Sequence, residues 1–231
     1  MKICGLNKTT LLDYPGRVAA TIFIGGCNFR CPFCHNSSLV LHSSLQPEFS
    51  QEEILSFLKK RRGILDGVCI TGGEPTLYPE LTDFLREIRE LGYEIKLDTN
   101  GSRPDVLKSL AEKGLIQKAA MDIKSSPEHY EILTGISHPD LTAIRESISF
   151  LMNGSLDYEF RTTVVQELHT ENDFRKIGQW LKGAKAYYLQ AYRDSEDVLQ
   201  PGFSSYSASE LNAFREILLE TIPLVEIRGM D

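Results

Sequence analysis

The chain is 231 residues long, 42% hydrophobic and 25% charged, with a formal charge of −7 from 25 Lys+Arg against 32 Asp+Glu. That length forms one large domain or two small ones and buries a sizeable core without disulfide staples. The acidic balance argues against a nucleic-acid backbone binder, no apolar run approaches the roughly 18 residues of a membrane span, and no apolar stretch follows Lys2 as a secretion signal requires. A cytoplasmic globular protein is expected, with neither nucleic acid nor membrane as partner.

Short apolar β-rich runs alternate with longer amphipathic ones. Strands are predicted over 18–24, 68–71, 94–98, 118–123, 159–165 and 186–191. Helices lie between them. Ser50-Gln51-Glu52-Glu53 is a capping box, and Ile54, Leu55 and Leu58 follow at helical spacing. Pro79-Glu80 opens the next helix, with Leu81, Phe84, Leu85 and Ile88 as its apolar stripe and Gly92 past its end. Pro104 starts a third, carrying Val106, Leu107 and Leu110 and closed by Gly114; further helices are predicted over 139–153, 172–182 and 207–221. Trp180 reads as a core residue.

Six βα repeats imply an α/β fold with a parallel sheet and right-handed crossovers, open or barrel-like, in a single domain over 1–231. In both arrangements chemistry gathers at the C-terminal ends of the strands. The polar motifs follow that rule. A cysteine-rich loop comes after the first strand, Gly72-Gly73-Glu74 after the second and Asp98-Thr99-Asn100-Gly101 after the third. Asp122-Ile123-Lys124 closes the fourth, and Gln190 begins the polar end of the sixth. Residues 192–206 form a long polar loop, suited to a lid or partner contact and equally to a plain solvated connection.

Of the five cysteines, Cys27, Cys31 and Cys34 fall within eight residues, while Cys4 and Cys69 stand apart. An odd count without a secretion signal does not suit a disulfide framework. Crowded soft thiolates suit zinc or an iron–sulfur cluster. Structural zinc needs a fourth ligand, for which His35, Cys4 and Cys69 are available, but none completes a second paired motif. Three thiolates on a four-iron cluster leave one iron open to a small molecule. Cys69, in Val68-Cys69-Ile70, reads as a buried small hydrophobe.

Gly26-Cys27-Asn28-Phe29-Arg30-Cys31-Pro32-Phe33-Cys34-His35-Asn36 resembles the cysteine loop of radical S-adenosylmethionine enzymes, and Thr71-Gly72-Gly73-Glu74-Pro75 resembles that family's motif for the methionine amino group. The opening Gly5-Leu6-Asn7-Lys8 and Leu11-Leu12-Asp13-Tyr14-Pro15-Gly16, with the closing Val225-Glu226-Ile227-Arg228-Gly229, are similar to activating proteins of anaerobic ribonucleoside-triphosphate reductase. Asp98-Thr99-Asn100-Gly101 and Met121-Asp122-Ile123-Lys124 are similar to activases of pyruvate formate-lyase. The resemblance implies a partial (β/α)6 barrel of the radical SAM type, since a full eight-unit barrel takes about 250 residues.

It also implies the chemistry. Cys27, Cys31 and Cys34 would hold a [4Fe–4S] cluster; S-adenosylmethionine would chelate the open iron and be cleaved by one electron from flavodoxin or ferredoxin. The resulting radical would take the Cα hydrogen of a glycine on a glycyl-radical enzyme, with no catalytic side chain beyond cluster and cofactor. Gly72, Gly73 and Glu74 would meet the methionine amino group, the glycines by letting the backbone approach the ligand. Asp98, Thr99 and Asn100 would face the ribose and methionine ends; an Asx-type turn closed by Gly101 is the structural alternative. Asp98 and Asp122 could instead hold a monovalent cation beside the cofactor carboxylate. Lys124 would pair with that carboxylate, Arg161 matches a family arginine, and Gln190 stands where the pyruvate formate-lyase activases carry a histidine. His35 and Asn36 would orient the loop and cofactor, and Phe33 would pack near adenine or simply in the core. Other readings stay open: an activase of pyruvate formate-lyase type, a small-molecule radical enzyme such as a 7-carboxy-7-deazaguanine synthase, or a non-catalytic zinc-binding protein.

Overall fold

The computed structural model describes residues 1–230. The chain gathers into two compact units. The first is Met1–Asn28 with Asn36–Ala120; the second is Phe29–His35 with Met121 to the end of the described residues.

In the first unit, β1 (Ile3–Thr10) runs antiparallel to β2 (Ala19–Ile24), and β2, β3 (Gly67–Gly72) and β4 (Glu94–Thr99) run parallel. Their register sets Thr21 opposite Cys69 and Cys69 opposite Lys96. The helices are α1 (Ser37–Leu41), α2 (Gln51–Lys60), α3 (Leu81–Glu90) and α4 (Pro104–Glu112). The predicted capping box on α2 is formed: Ser50 Oγ accepts from the Glu53 N–H at 3.1 Å, and the Glu53 carboxylate accepts from the Ser50 N–H at 2.7 Å. Leu81, Phe84, Leu85 and Ile88 of α3 are wholly buried. Each stabilises the unit by about 2 kcal/mol through the apolar surface it removes from water.

In the second unit, β6 (Asp157–Val164), β7 (Tyr187–Ala191) and β8 (Val225–Arg228) are parallel. Strand order follows chain order; β5 (Lys118–Asp122) gives its first three residues to the first unit and its last two to the second. The helices are α5 (Tyr130–Thr134), α6 (Leu141–Asn153), α7 (Glu171–Trp180) and α8 (Ala208–Leu219). Capping boxes at Thr170/Asp173 and Ser207/Glu210 start α7 and α8, and the Asp140 side chain caps α6. Trp180 is half-buried, edge-on to Tyr130.

Strands form over all six predicted stretches, each within two residues of its expected bounds. Four further elements carry no clear signal in the sequence. β1 exposes Asn7, Lys8 and Thr9 along its middle, and β8 spans four residues with Glu226 exposed, so neither shows an apolar run. α1 and α5 have five residues each, too few for a 3.6-residue period to register.

Candidate active site

Three strand ends of the first unit meet around Glu74. Where β3 stops, the Gly73 N–H donates to the Ile24 carbonyl and the Glu74 N–H to the Gly26 carbonyl, both at 2.8 Å. A Cβ on Gly73 would lie 1.9 Å from the Gly26 carbonyl oxygen, and one on Gly72 would lie 2.4 Å from that of Ile24. The chain's own backbone thus demands the two glycines.

Glu74 is completely buried. Its carboxylate accepts from the Thr76 N–H (3.1 Å) and hydroxyl (2.5 Å), the Thr99 hydroxyl (2.9 Å) and the Asn100 N–H (2.6 Å). Burial pushes its pKa up, against the pull of those four donors. Glu74 therefore ties the end of β3 to the end of β4. It fixes Asn100, whose side-chain amide donates to Asn28 Oδ1 at 2.9 Å and lies 3.8 Å from Cys27 Sγ. The Asx-type turn also forms, because Asn100 Oδ1 accepts from the Ser102 N–H and Thr99 Oγ1 from the Gly101 N–H. Asn36 donates to the Gly72 carbonyl at 2.9 Å, and the Tyr78 hydroxyl to that of Gly25 at 2.6 Å. Asp98 is paired with Lys96 at 2.5 Å, and Lys96 is only 1% exposed.

The second unit seats the rest of the cysteine loop. The Arg30 N–H donates to the Thr134 carbonyl at the end of α5, where Gly135 turns left-handed with φ 64°. The loop after β7 braces the other side: the Gln200 N–H donates to the Pro32 carbonyl at 2.9 Å and the Leu199 N–H to that of Cys34 at 3.2 Å. His35 Nε2 lies 2.5 Å from the Arg193 carbonyl oxygen, its ring tilted against Tyr192, and the Arg193 guanidinium donates to the Gly229 carbonyl. The polar stretch 192–206 is thus a brace for the cysteine loop.

Cys31 is buried, and burial pushes its thiol pKa up to about 11, opposed by the positive charge of Lys124. Phe33 is buried edge-on to His169, which stacks on Phe174. His169 Nδ1 accepts from the Val165 N–H at 3.1 Å, which leaves Nε2 to donate to the Lys124 carbonyl at 2.8 Å. Burial lowers its pKa and keeps it neutral. Asp122 receives Arg161 Nε at 2.5 Å and Lys124 Nζ at 3.0 Å. Although burial opposes ionisation, these two cations hold its carboxyl well below the usual range. Gln190 is half-buried in β7, opposite Thr163 and Arg228.

The sequence singles out neither Lys96, Tyr78, Gly135 nor His169. Lys96 alternates with Ile95 and Leu97 alongside Glu94 and Asp98, a pattern that reads as the polar face of a half-buried strand, so its burial emerges only from the fold. The others show their roles only through partners distant in sequence. Among the described residues, no three His, Cys, Asp or Glu side chains stand gathered as a ligand set for a single metal ion. None of the five cysteines is in a disulfide, so the donor chemistry of the Cys27–Cys34 motif suits an iron–sulfur cluster.

Residues 21–181 match the family model described as the radical SAM superfamily. The chain belongs to that superfamily, whose cofactors are a [4Fe–4S] cluster and S-adenosylmethionine, and it is an enzyme of the radical SAM type. It is 29% identical over 222 residues to a Methanocaldococcus jannaschii protein provisionally named a glycyl-radical enzyme activating enzyme, covering 93% of this chain and 89% of that one. It is 32% identical over 130 residues to a probable GTP 3',8-cyclase of Thermococcus kodakarensis, covering 54% of this chain and 41% of that one. Among solved structures, Streptococcus suis SuiB bound to its precursor peptide SuiA has the same fold, with a TM-score of 0.68 at 13% identity over 89% of this chain and 48% of that one. The expected α/β fold of mostly parallel strands is therefore the one found. No helix among the described residues is long and apolar enough to cross a membrane.

Proposed function

We propose that this chain is a cytoplasmic activating enzyme that takes the Cα hydrogen from one glycine of a glycyl-radical enzyme, and that the partner is an anaerobic ribonucleoside-triphosphate reductase. The extent of likeness carries the reading: the activating-enzyme relative matches nearly end to end, whereas the cyclase match covers about half of this chain. The absence of a second cysteine cluster from the sequence supports it, because enzymes that use auxiliary clusters need further ligands. The similarity of residues 5–16 and 225–229 to reductase activating proteins supports the choice of partner.

In this reading Cys27, Cys31 and Cys34 hold the cluster. When loaded, cluster and S-adenosylmethionine supply one-electron cleavage and hydrogen abstraction, with flavodoxin or ferredoxin as donor. The chain's own groups position and shield. Burial keeps water from Cys31, and Lys124 eases its deprotonation. Asn36 orients the Gly72 carbonyl toward its role with the methionine amino group, and Glu74 acts through Thr99 and Asn100. Gly73, Asp98, Arg161 and Gln190 complete the S-adenosylmethionine contacts, and Phe33 and His35 support the loop.

The test is anaerobic reconstitution with iron and sulfide, followed by reduction, addition of S-adenosylmethionine and quantification of 5′-deoxyadenosine, with Cys31→Ala as control. The candidate reductase is then added and a glycine-centred radical sought by electron paramagnetic resonance. Both signals from wild type alone are expected. 5′-Deoxyadenosine without a glycyl radical on any such partner would replace the activase reading with a small-molecule one.

A further inference from the structure

The resemblance to pyruvate formate-lyase activases offers Asp98 and Asp122 as ligands for a monovalent cation, and the side chains around each carboxylate do not fit that use. In the first unit, Lys96 Nζ lies 2.5 Å from Asp98 Oδ1. Both belong to β4, two residues apart and so on the same face of the strand. Lys96 is 1% exposed and Asp98 9%, so solvent screens the pair little. The register explains the placement of the ammonium: Lys96 stands opposite Cys69, with Nζ 3.9 Å from its thiol, and Cys69 stands opposite Thr21, whose hydroxyl donates to Asp13. A polar row thus crosses β2, β3 and β4 and ends on the lysine. In the second unit, Asp122 is held by two cations, Arg161 on one oxygen and Lys124 on the other. A metal cation bound to either carboxylate would stand beside a fixed positive charge already paired with it, and like charges repel strongly where water is scarce.

We infer that Lys96 is a positioning residue that takes the place of a monovalent metal ion at Asp98, so that this enzyme binds and cleaves S-adenosylmethionine without one. The inference rests on the radical SAM reading for its cofactor. Lys96 fixes the carboxylate at the end of β4, next to Thr99 and Asn100, and supplies through a side chain the charge that an ion would otherwise bring from solution. A tethered ammonium carries no concentration dependence, unlike a bound ion.

The experiment compares wild type with Lys96→Met, both reconstituted as full chains, at a constant ionic strength of about 0.1 M set with choline, potassium or methylammonium chloride. Affinity for S-adenosylmethionine, 5′-deoxyadenosine formation and the melting temperature of the cofactor-free protein are measured in each salt. Wild type is expected to respond to none of the exchanges. Lys96→Met is expected to bind S-adenosylmethionine about tenfold more weakly in choline, as one charge-assisted contact is lost, and to recover in potassium or methylammonium. Its melting temperature is expected to rise on the same exchange. A wild-type affinity or melting temperature that rises with potassium over choline overturns the inference, as does a Lys96→Met protein indifferent to the cation. Should Lys96→Met prove too unstable to isolate, the wild-type salt comparison decides alone. Failure of the radical SAM reading shows separately, as missing 5′-deoxyadenosine in every salt, while the melting comparison still reads the competition between Lys96 and a cation.

Discussion

Two strand-end carboxylates, Glu74 in the first unit and Asp122 in the second, are held in opposite ways. Glu74 is sealed in and satisfied by hydroxyls and backbone N–H groups, so no cation stands against its charge and its pKa rises. Asp122 is braced by Arg161 and Lys124, and its pKa falls. Glu74 lies just past the end of β3 and Asp122 at the end of β5, each within a short polar motif. Their neighbours decide that one is a structural tie between loops and the other the anion of an ion network.

The strongest way to break the comparison is to separate the loop seats in each unit. Gly73→Ala drives a methyl to 1.9 Å from the Gly26 carbonyl oxygen, and Gly135→Ala drives one to 2.1 Å from that of Arg30 while forcing a left-handed φ. Each is expected to destabilise the protein by about 3 kcal/mol or more, as overpacking against immobile backbone does. Urea denaturation and iron content after reconstitution check this; full iron loading in both variants would show that neither seat matters to the cysteine loop.

The carboxylates themselves sharpen the contrast. Glu74→Ala strands the Thr99 hydroxyl and the Asn100 N–H and is expected to cost about 3 kcal/mol. Asp122→Asn leaves two cations without their anion but partly open to water, with an expected cost of about 2 kcal/mol. The pH dependences run in opposite directions. Because the folded-state pKa of Asp122 is lowered, its stabilisation is present above the ordinary carboxylate value of about 4 and fades as pH falls below it. The deficit of Asp122→Asn should therefore shrink in acid. The folded-state pKa of Glu74 is raised, so wild type gains stability as pH falls through the raised value, and the deficit of Glu74→Ala should grow there. Denaturation curves at pH 7, 5 and 4 would reveal parallel trends if the two sites were alike.

The smallest effect belongs to His169. Burial lowers its pKa, so the unfolded chain takes up a proton first, and stability is lost as pH falls through the ordinary value of roughly 6.5. The loss is at most about 1.4 kcal/mol per pH unit. His169→Gln should flatten the decline in melting temperature between pH 7.5 and 5.5; an unchanged slope would assign the decline to other groups.

Much of this protein was legible without coordinates. The apolar runs separated by amphipathic stripes specify six parallel strands and their helices, because burial periodicity is local and survives in the chain. Cys27, Cys31, Cys34 and the Gly72-Gly73-Glu74 turn stand out because their chemistry is compressed into short spacings. Tertiary structure decided who meets whom. It turned Glu74 inward onto Thr99 and Asn100, gave Asp98 to Lys96, set His169 under Lys124 and made the 192–206 loop a brace for the cysteine loop. Apart from the Lys96–Asp98 pair, two residues apart on β4, each of those partnerships joins residues far apart in the chain. The strength of a charge or hydrogen bond depends on distance and burial, and residue order alone fixes neither.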